Sequence, residues 1–288
     1  MISIDIQGGL GNQLFMIFAT FAYGIKHNVK VVFPYHKGSN NRGTYWDTLF
    51  TNISMFTTLN PENQIDIKSF KKYIEPRFLY DPLPDFGDEN VCLLGYFQSP
   101  RYFDSVQSTI FQIINLSDKK NDIKNKYGFL FDKKTVSMHF RMGDYKQKRY
   151  YHPIINYEYF ENALAHIIKN KPDVERVLYL CEQEDNDYVV KQIEQLHIKY
   201  PSIQFTKVDD SLPDYDQLII MSCCDHNIMA NSTFSWWGAY LNENPDKLIC
   251  YPSVWFGEYY EHKHDYKDMM APLWQKIVAN PIHWEKPL

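Results

Sequence analysis

Residues able to do chemistry gather at three places in the chain. The first is His139-Phe140-Arg141-Met142-Gly143-Asp144, at the carboxyl end of a segment (TVSMHF) that reads as a strand. Strand alternation puts His139 and Arg141 on one face. An arginine there can grip a diphosphate through two parallel hydrogen bonds and neutralise charge on a leaving group. Asp144, just past Gly143, can orient Arg141 or accept a proton. His139, Arg141 and Asp144 form the expected catalytic set. The plainer alternative is a buried histidine and an Arg–Asp pair that holds a loop.

The second place is Asn231-Ser232-Thr233-Phe234, where a strand ending at Ala230 gives way to a helix. Asn, Ser and Thr are good helix caps, and their hydroxyls together with free backbone amides make an anion site. Asn231, Ser232 and Thr233 are read as functional, and Trp236 and Trp237 as core. The third place is Gly8-Gly9-Leu10-Gly11-Asn12-Gln13, between the first strand and the first helix. Glycines there let a backbone approach a pyrophosphate, but the spacing matches neither the dinucleotide fingerprint nor the P-loop. A tight turn that needs positive φ explains it equally well. Two D-x-D triplets, Asp185-Asn186-Asp187 and Asp214-Tyr215-Asp216, could hold a divalent cation on a nucleotide sugar. Both precede helical stretches, where acids are favoured anyway, and they are read as helix starts.

These residues need strands and helices to position them. In the first part of the chain, 2–6 and 29–33 read as strands and 12–25 as a helix. Residues 34–80 are irregular, and 91–97 is a strand. A charged segment, 117–134, starts as a helix and marks a boundary. Beyond it, strands at 135–140, 177–181, 203–206, 226–230 and 248–251 alternate with helices at 157–169, 187–198, 215–224 and 233–241. The helix at 157–169 carries Phe160, Ala163, Leu164, Ile167 and Ile168 on one face. Such alternation builds right-handed βαβ units and a parallel sheet. The expected division is an N-terminal α/β domain on the acceptor side that carries the glycine-rich loop (1–132), a C-terminal Rossmann-like domain (133–262) and a final segment (263–288) that packs back. Two such α/β domains form a cleft at the carboxyl ends of their strands, where open parallel sheets bind ligands.

The 288 residues carry a net charge of -5 with acids and bases interspersed, which argues against nucleic acid as the main partner. The 22 Tyr, 19 Phe and 6 Trp lean toward a carbohydrate ligand, since sugar clefts use flat rings. Cys92, Cys181, Cys223, Cys224 and Cys250 follow no disulfide or zinc-ligand spacing, which fits a reducing compartment. No basic stretch followed by an apolar run opens the chain, no apolar run could span a bilayer, and the first strand begins at residue 2. A cytoplasmic protein is expected.

Taken together, GGLGNQLF (8–15), GYFQSPRYF (95–103), HFRMGDY (139–145) and MSCCDHNIMANSTFSWWGAYL (221–241) resemble glycosyltransferase family 11, the α-1,2-fucosyltransferases. YPSVWF and the later PLW fall in the family's order too. The resemblance implies a GT-B-like fold of two α/β domains, with GDP-L-fucose held mainly by the second. It implies transfer of fucose to the 2-hydroxyl of a galactose-containing glycan acceptor, with inversion, with no cofactor and no required metal. By the same resemblance, Arg141 holds the donor pyrophosphate beside His139, and Asn231, Ser232, Thr233 and Phe234 lie along the phosphates. Gly9, Gly11, Asn12 and Gln13 face the cleft from the first domain, and Asp209 joins the donor-binding set. Two features depart from the family pattern. Met142 stands where the second arginine of H-x-R-R-G-D is common, and Cys181-Glu182-Gln183-Glu184-Asp185 replaces a Ser-Asp-Asp type of segment.

Departure of GDP from the sugar builds negative charge on the β-phosphate. Without a metal, Arg141 and the amides at the start of the 233–241 helix must stabilise it. The acceptor hydroxyl attacks from the opposite face, with Asp144 as nominee for the base. A metal-dependent transferase using Asp185 and Asp187 and a non-catalytic nucleotide-sugar- or glycan-binding protein are the rival readings.

Overall fold

The computed structural model describes residues 1–37 and 43–282. Residues 38–42 of the irregular stretch and 283–288 of the final segment lie outside the described residues. The chain forms two compact units, Met1–Lys119 with His264–Ala271, and Lys120–Lys263 with Pro272–Leu288. Lys120–Asp132, assigned to the first domain in the sequence, thus belong to the second unit, as does Pro272 onward.

In the first unit β1 (Ile2–Ile4) leads through the glycine turn into α1 (Leu10–His27). Every residue of α1 from Leu10 to Gly24 except Asn12 is buried. A helix apolar nearly all round belongs inside a core. Here Phe18 packs edge-on to Phe103 at 5.4 Å and Phe21 to Phe33 at 5.2 Å. The helix ends at Asn28 in the left-handed conformation (φ 52°), where its amide bonds Gly24 O. β2 (Lys71–Ile74) and β3 (Val91–Leu94) complete a parallel sheet of order β1-β3-β2, followed by α2 (Gln107–Ile113).

The strand expected at 29–33 is reduced to two isolated bridges, Ile2 with Val31 and Phe33 with Thr57. Its partner changes within five residues, so no ladder runs along it. The turn after β3 has Gly95 at φ 151° and Phe97 at φ 53°. It is held by Glu75, whose carboxylate accepts from the amides of Tyr96 (2.8 Å) and Phe97 (3.1 Å).

α3 (Leu116–Tyr127) carries the chain into the second unit. There β4 (Thr135–His139), α4 (Tyr157–Asn170), β5 (Arg176–Leu180), α5 (Asn186–Lys199), β6 (Gln204–Lys207), α6 (Asp214–Cys223), β7 (His226–Ile228), α7 (Thr233–Tyr240), β8 (Ile249–Pro252), α8 (Glu258–Glu261) and β9 (Gln275–Ile277) follow. The six strands are parallel in the order β6-β5-β4-β7-β8-β9. β4 and β5 are buried at every position, as the inner strands of a parallel sheet covered on both faces are. Val136, Met138, Leu164, Ile167, Val177 and Leu196 anchor the core between sheet and helices. Trp236 and Trp237 are fully buried, as expected. No described helix is long and apolar enough to cross a membrane.

Candidate functional site

In the second unit the chain winds from β4 outward through β5 to β6, then returns beside β4 at β7 and winds the other way. This is the doubly wound dinucleotide-fold order, and its direction reverses between β4 and β7. Loops leaving neighbouring strands at such a reversal splay apart and open a crevice at the carboxyl edge. Arg141 lies two residues beyond β4, and Asn231–Thr233 lead from β7 into α7. The topology therefore brings together the two segments singled out by chemistry. Tyr145 links them, its hydroxyl donating to Asn231 O at 3.1 Å.

Arg141 is mostly buried and fully engaged. Its guanidinium bonds Asp144 through one terminal nitrogen and Glu182 through the other, and it lies 4.9 Å from the centre of the Tyr145 ring. Lys148 approaches the other Asp144 oxygen at 2.9 Å. Gly143 has φ 34°, and a Cβ there would fall 2.3 Å from Glu182 Oε2. That glycine is what lets Glu182 close on the arginine. The Gly143 amide donates to the buried Asp185 at 2.8 Å, and Asp185 also pairs with Lys146.

Glu182, Glu184 and Asp185 bring carboxylate oxygens within 4.8 Å of one another. Arg141 pairs with the first of them and Lys146 with the other two, so each carboxylate of the cluster already has a cationic partner. Asp187, the other acid of that D-x-D triplet, is exposed in the first turn of α5 and is not in the group.

His139 is 7% exposed, its ring 5.4 Å from that of Phe234, and its Nδ1 has no hydrogen-bond partner. Burial first, then the charges of Arg141 and Lys207, hold its pKa at about 3. The imidazole is neutral at ordinary pH, and its ring packs against that of Phe234. Asn231 is buried and donates to Pro153 O (2.8 Å) and Trp255 O (3.3 Å), while its Oδ1 is unpartnered. Ser232 caps α7, its hydroxyl accepting from the Phe234 amide at 3.3 Å. Thr233 and Phe234 are part-exposed. Asp209 is exposed beyond β6, two strands from β4, and accepts from the Ser211 amide at 2.8 Å. The fold does not bring it beside Arg141.

Met142 is 2% exposed and packs in the apolar core with Phe140 and Phe160. A small cavity of about 10 Å³ borders Arg141, Met142, Tyr188, Gln192 and Asn231. The position where the family pattern carries a second arginine is thus an apolar packing position here.

In the first unit Gly8 takes φ 77°, while Gly9 is extended and a Cβ on it would meet nothing within 4 Å. Gln13 is buried, its amide nitrogen tied to Gly8 O (2.9 Å) and Gly43 O (2.8 Å). It holds the turn. Asn12 is part-exposed and accepts from Gln98 Nε2 at 2.9 Å, and Gly11 is buried in α1. The link from Asn12 to the GYFQSPRYF segment and the closing of Glu182 on Arg141 were not read from the sequence. Both join residues far apart in the chain, and neither has a local pattern.

A reversed α/β sheet with an arginine and a capped helix start at its reversal defines a doubly wound unit with a place for an anionic ligand. Residues 71–277 match Glycosyl transferase family 11, and the chain belongs to that family. It is 26% identical to the O-antigen biosynthesis glycosyltransferase WbnK of Escherichia coli, over 87% of this chain and 93% of that protein. It is 21% identical to an alpha-1,2-colitosyltransferase of E. coli, over 87% of this chain and 91% of that protein. A galactoside 2-alpha-L-fucosyltransferase of Caenorhabditis elegans is 23% identical, over 96% of this chain and 79% of its own length. The crystal structure of POFUT1 in complex with GDP-fucose shares the fold, with a TM-score of 0.51 at 11% identity, covering 87% of this chain and 97% of that one.

Proposed function

We propose that the protein transfers L-fucose from GDP-L-fucose to the 2-hydroxyl of a galactoside, with inversion and without a metal or other cofactor. One observation carries this reading. Arg141 and the Ser232-capped start of α7 flank the reversal of the sheet, the place where an open α/β sheet offers positive charge and free amides to a phosphate. As GDP leaves C1, negative charge collects on the β-phosphate. Arg141 and the first amides of α7 stabilise it in a site partly shielded from water. The acceptor hydroxyl attacks the opposite face of the sugar. Asp144, paired to Arg141 and Lys148, is the base or the counter-charge for the oxocarbenium-like sugar. Thr233 and Phe234, in the first turn of α7, complete the donor-binding set of the second unit.

Metal independence is supported by the pairing of the acidic cluster with Arg141 and Lys146, since a divalent ion would have to displace both cations. The names of the relatives supply the competing donor. Colitose differs from fucose by the absence of the 3-hydroxyl, so GDP-colitose is the comparison to make. GDP release is measured from GDP-fucose and from GDP-colitose, with and without lactose, in buffer containing EDTA. Galactoside-dependent release from GDP-fucose is expected, and Arg141→Ala lowers it at least about a hundredfold without unfolding the protein. Near-normal turnover by that variant, or activity lost to EDTA, overturns the assignment.

A further inference from the structure

A surface of tyrosines adjoins the candidate donor site in the second unit, and nothing in the transfer chemistry above uses it. Two segments, one running from Arg149 to Pro153 and one from Trp255 to Lys263, are bound side by side by backbone hydrogen bonds. Gly257 N donates to Tyr151 O at 2.8 Å and Tyr259 N to Tyr150 O at 3.1 Å. Gly257 is what permits the approach, because a Cβ there would lie 2.6 Å from Tyr150 O. Both segments hang on the Asn231 side chain, which donates to Pro153 O and to Trp255 O.

The pairing gathers four tyrosine rings. Tyr151 lies 4.9 Å from Tyr259 and 5.4 Å from Tyr260, and Tyr150 lies 5.6 Å from Tyr259. Tyr150, Tyr151 and Tyr259 are 55%, 38% and 37% exposed; the Lys263 ammonium lies 3.5 Å from the centre of the Tyr259 ring and covers one of its faces, and the remaining ring surface meets solvent. The surface is continuous with the arginine. Arg141 packs on Tyr145, Tyr145 stacks on His152 at 4.7 Å, and His152 lies 6.0 Å from Tyr260.

Exposed flat rings with polar tips match the chemistry of a pyranose, which offers C–H groups from one face and hydroxyls from its rim. We propose that Tyr150, Tyr151 and Tyr259 form the stacking platform for the acceptor glycan, holding the sugar rings beyond the one that receives fucose. This rests on the transferase reading for the word acceptor, though not for the binding itself. The platform is a specificity element: it favours an oligosaccharide over a single galactoside, because only the longer chain reaches the rings.

The test is direct binding by saturation-transfer NMR, with lacto-N-tetraose as glycan and a parallel titration with GDP. The double variant Tyr150→Ala/Tyr259→Ala is expected to weaken tetrasaccharide binding about tenfold and to leave GDP affinity unchanged. Gly257→Ala, which forces the two segments apart, gives the same split. If the double variant is misfolded, Tyr150→Ala alone still decides the matter, because that side chain is more exposed than buried. Unchanged glycan affinity in the variants overturns the proposal, and so does the absence of saturation transfer from the tetrasaccharide to the wild-type protein. Loss of binding to phosphatidylglycerol vesicles, or of self-association, with glycan binding intact would likewise overturn it. Failure of GDP to bind the wild type instead defeats the donor assignment, and the glycan titration is then judged on its own.

Discussion

Arg141 is the residue on which the donor chemistry converges, and two carboxylates already occupy it. Asp144 is held in turn by Lys148, whereas Glu182 is a half-exposed side chain whose ion pair with Arg141 is the more easily released. A pyrophosphate entering the site competes with Glu182 for the same guanidinium nitrogen. Removing that competitor should help the ligand. Glu182→Gln is expected to raise GDP affinity about threefold or more, read by isothermal titration. Unchanged or weaker binding would mean that Glu182 orients Arg141 rather than competing for it. The departure of Glu182 from the family's usual segment was visible in the sequence, but its partner forty-one residues away was not. A similar limit applied to His139. Its place at a strand end was legible, while its burial against Phe234 and its low pKa depend on how α7 packs.

At the scale of elements, the glycine turn before α1 divides its labour between neighbours. Gly8 must be glycine for the fold: φ is 77° and a Cβ would strike Asn12 Nδ2 at 2.6 Å. Gly9 meets no such demand. Gly8→Ala is expected to cost about 1–2 kcal/mol in urea unfolding, and Gly9→Ala distinctly less. If the two substitutions cost the same, the backbone does not use the two glycines as described. The parallel strands β4 to β8 were legible because each falls in a regular alternation with helical stretches, of which α4 shows a clear apolar face. β2 and β9 were missed for the opposite reason. Lys71–Ile74 and Gln275–Ile277 are short, largely exposed strands with no apolar run to announce them. α8 is a four-residue turn of helix, and the tyrosine platform it helps form joins segments a hundred residues apart. Periodicity reports on neighbours along the chain, so such surfaces stay hidden from it.

For the molecule as a whole, buried neutral histidines set the response to acid. Burial lowers the pKa of His139 to about 3, and lowers those of His152 and His226 as well. The unfolded chain takes up protons at these sites as pH falls through about 6.5, while the folded protein refuses them. Their stabilising effect is therefore complete above pH 6.5 and is lost progressively below it, down to about pH 3 for His139. Urea unfolding at pH 7.5 and 5.5 should show lower stability at the acid end, with His139 alone contributing about 1 kcal/mol. His139→Asn should flatten that dependence, and a wild type equally stable at both values would contradict the burial. The reversal of the sheet has one more consequence, for the order of events in folding. β4 and β7 lie side by side but ninety residues apart in sequence, as the Asn227–Ser137 bond across them shows. Closing so long a loop is slow. Until β5, β6 and their helices have been laid down, Arg141 and Ser232 are strangers to each other, so the crevice at the reversal forms only as the second unit is completed.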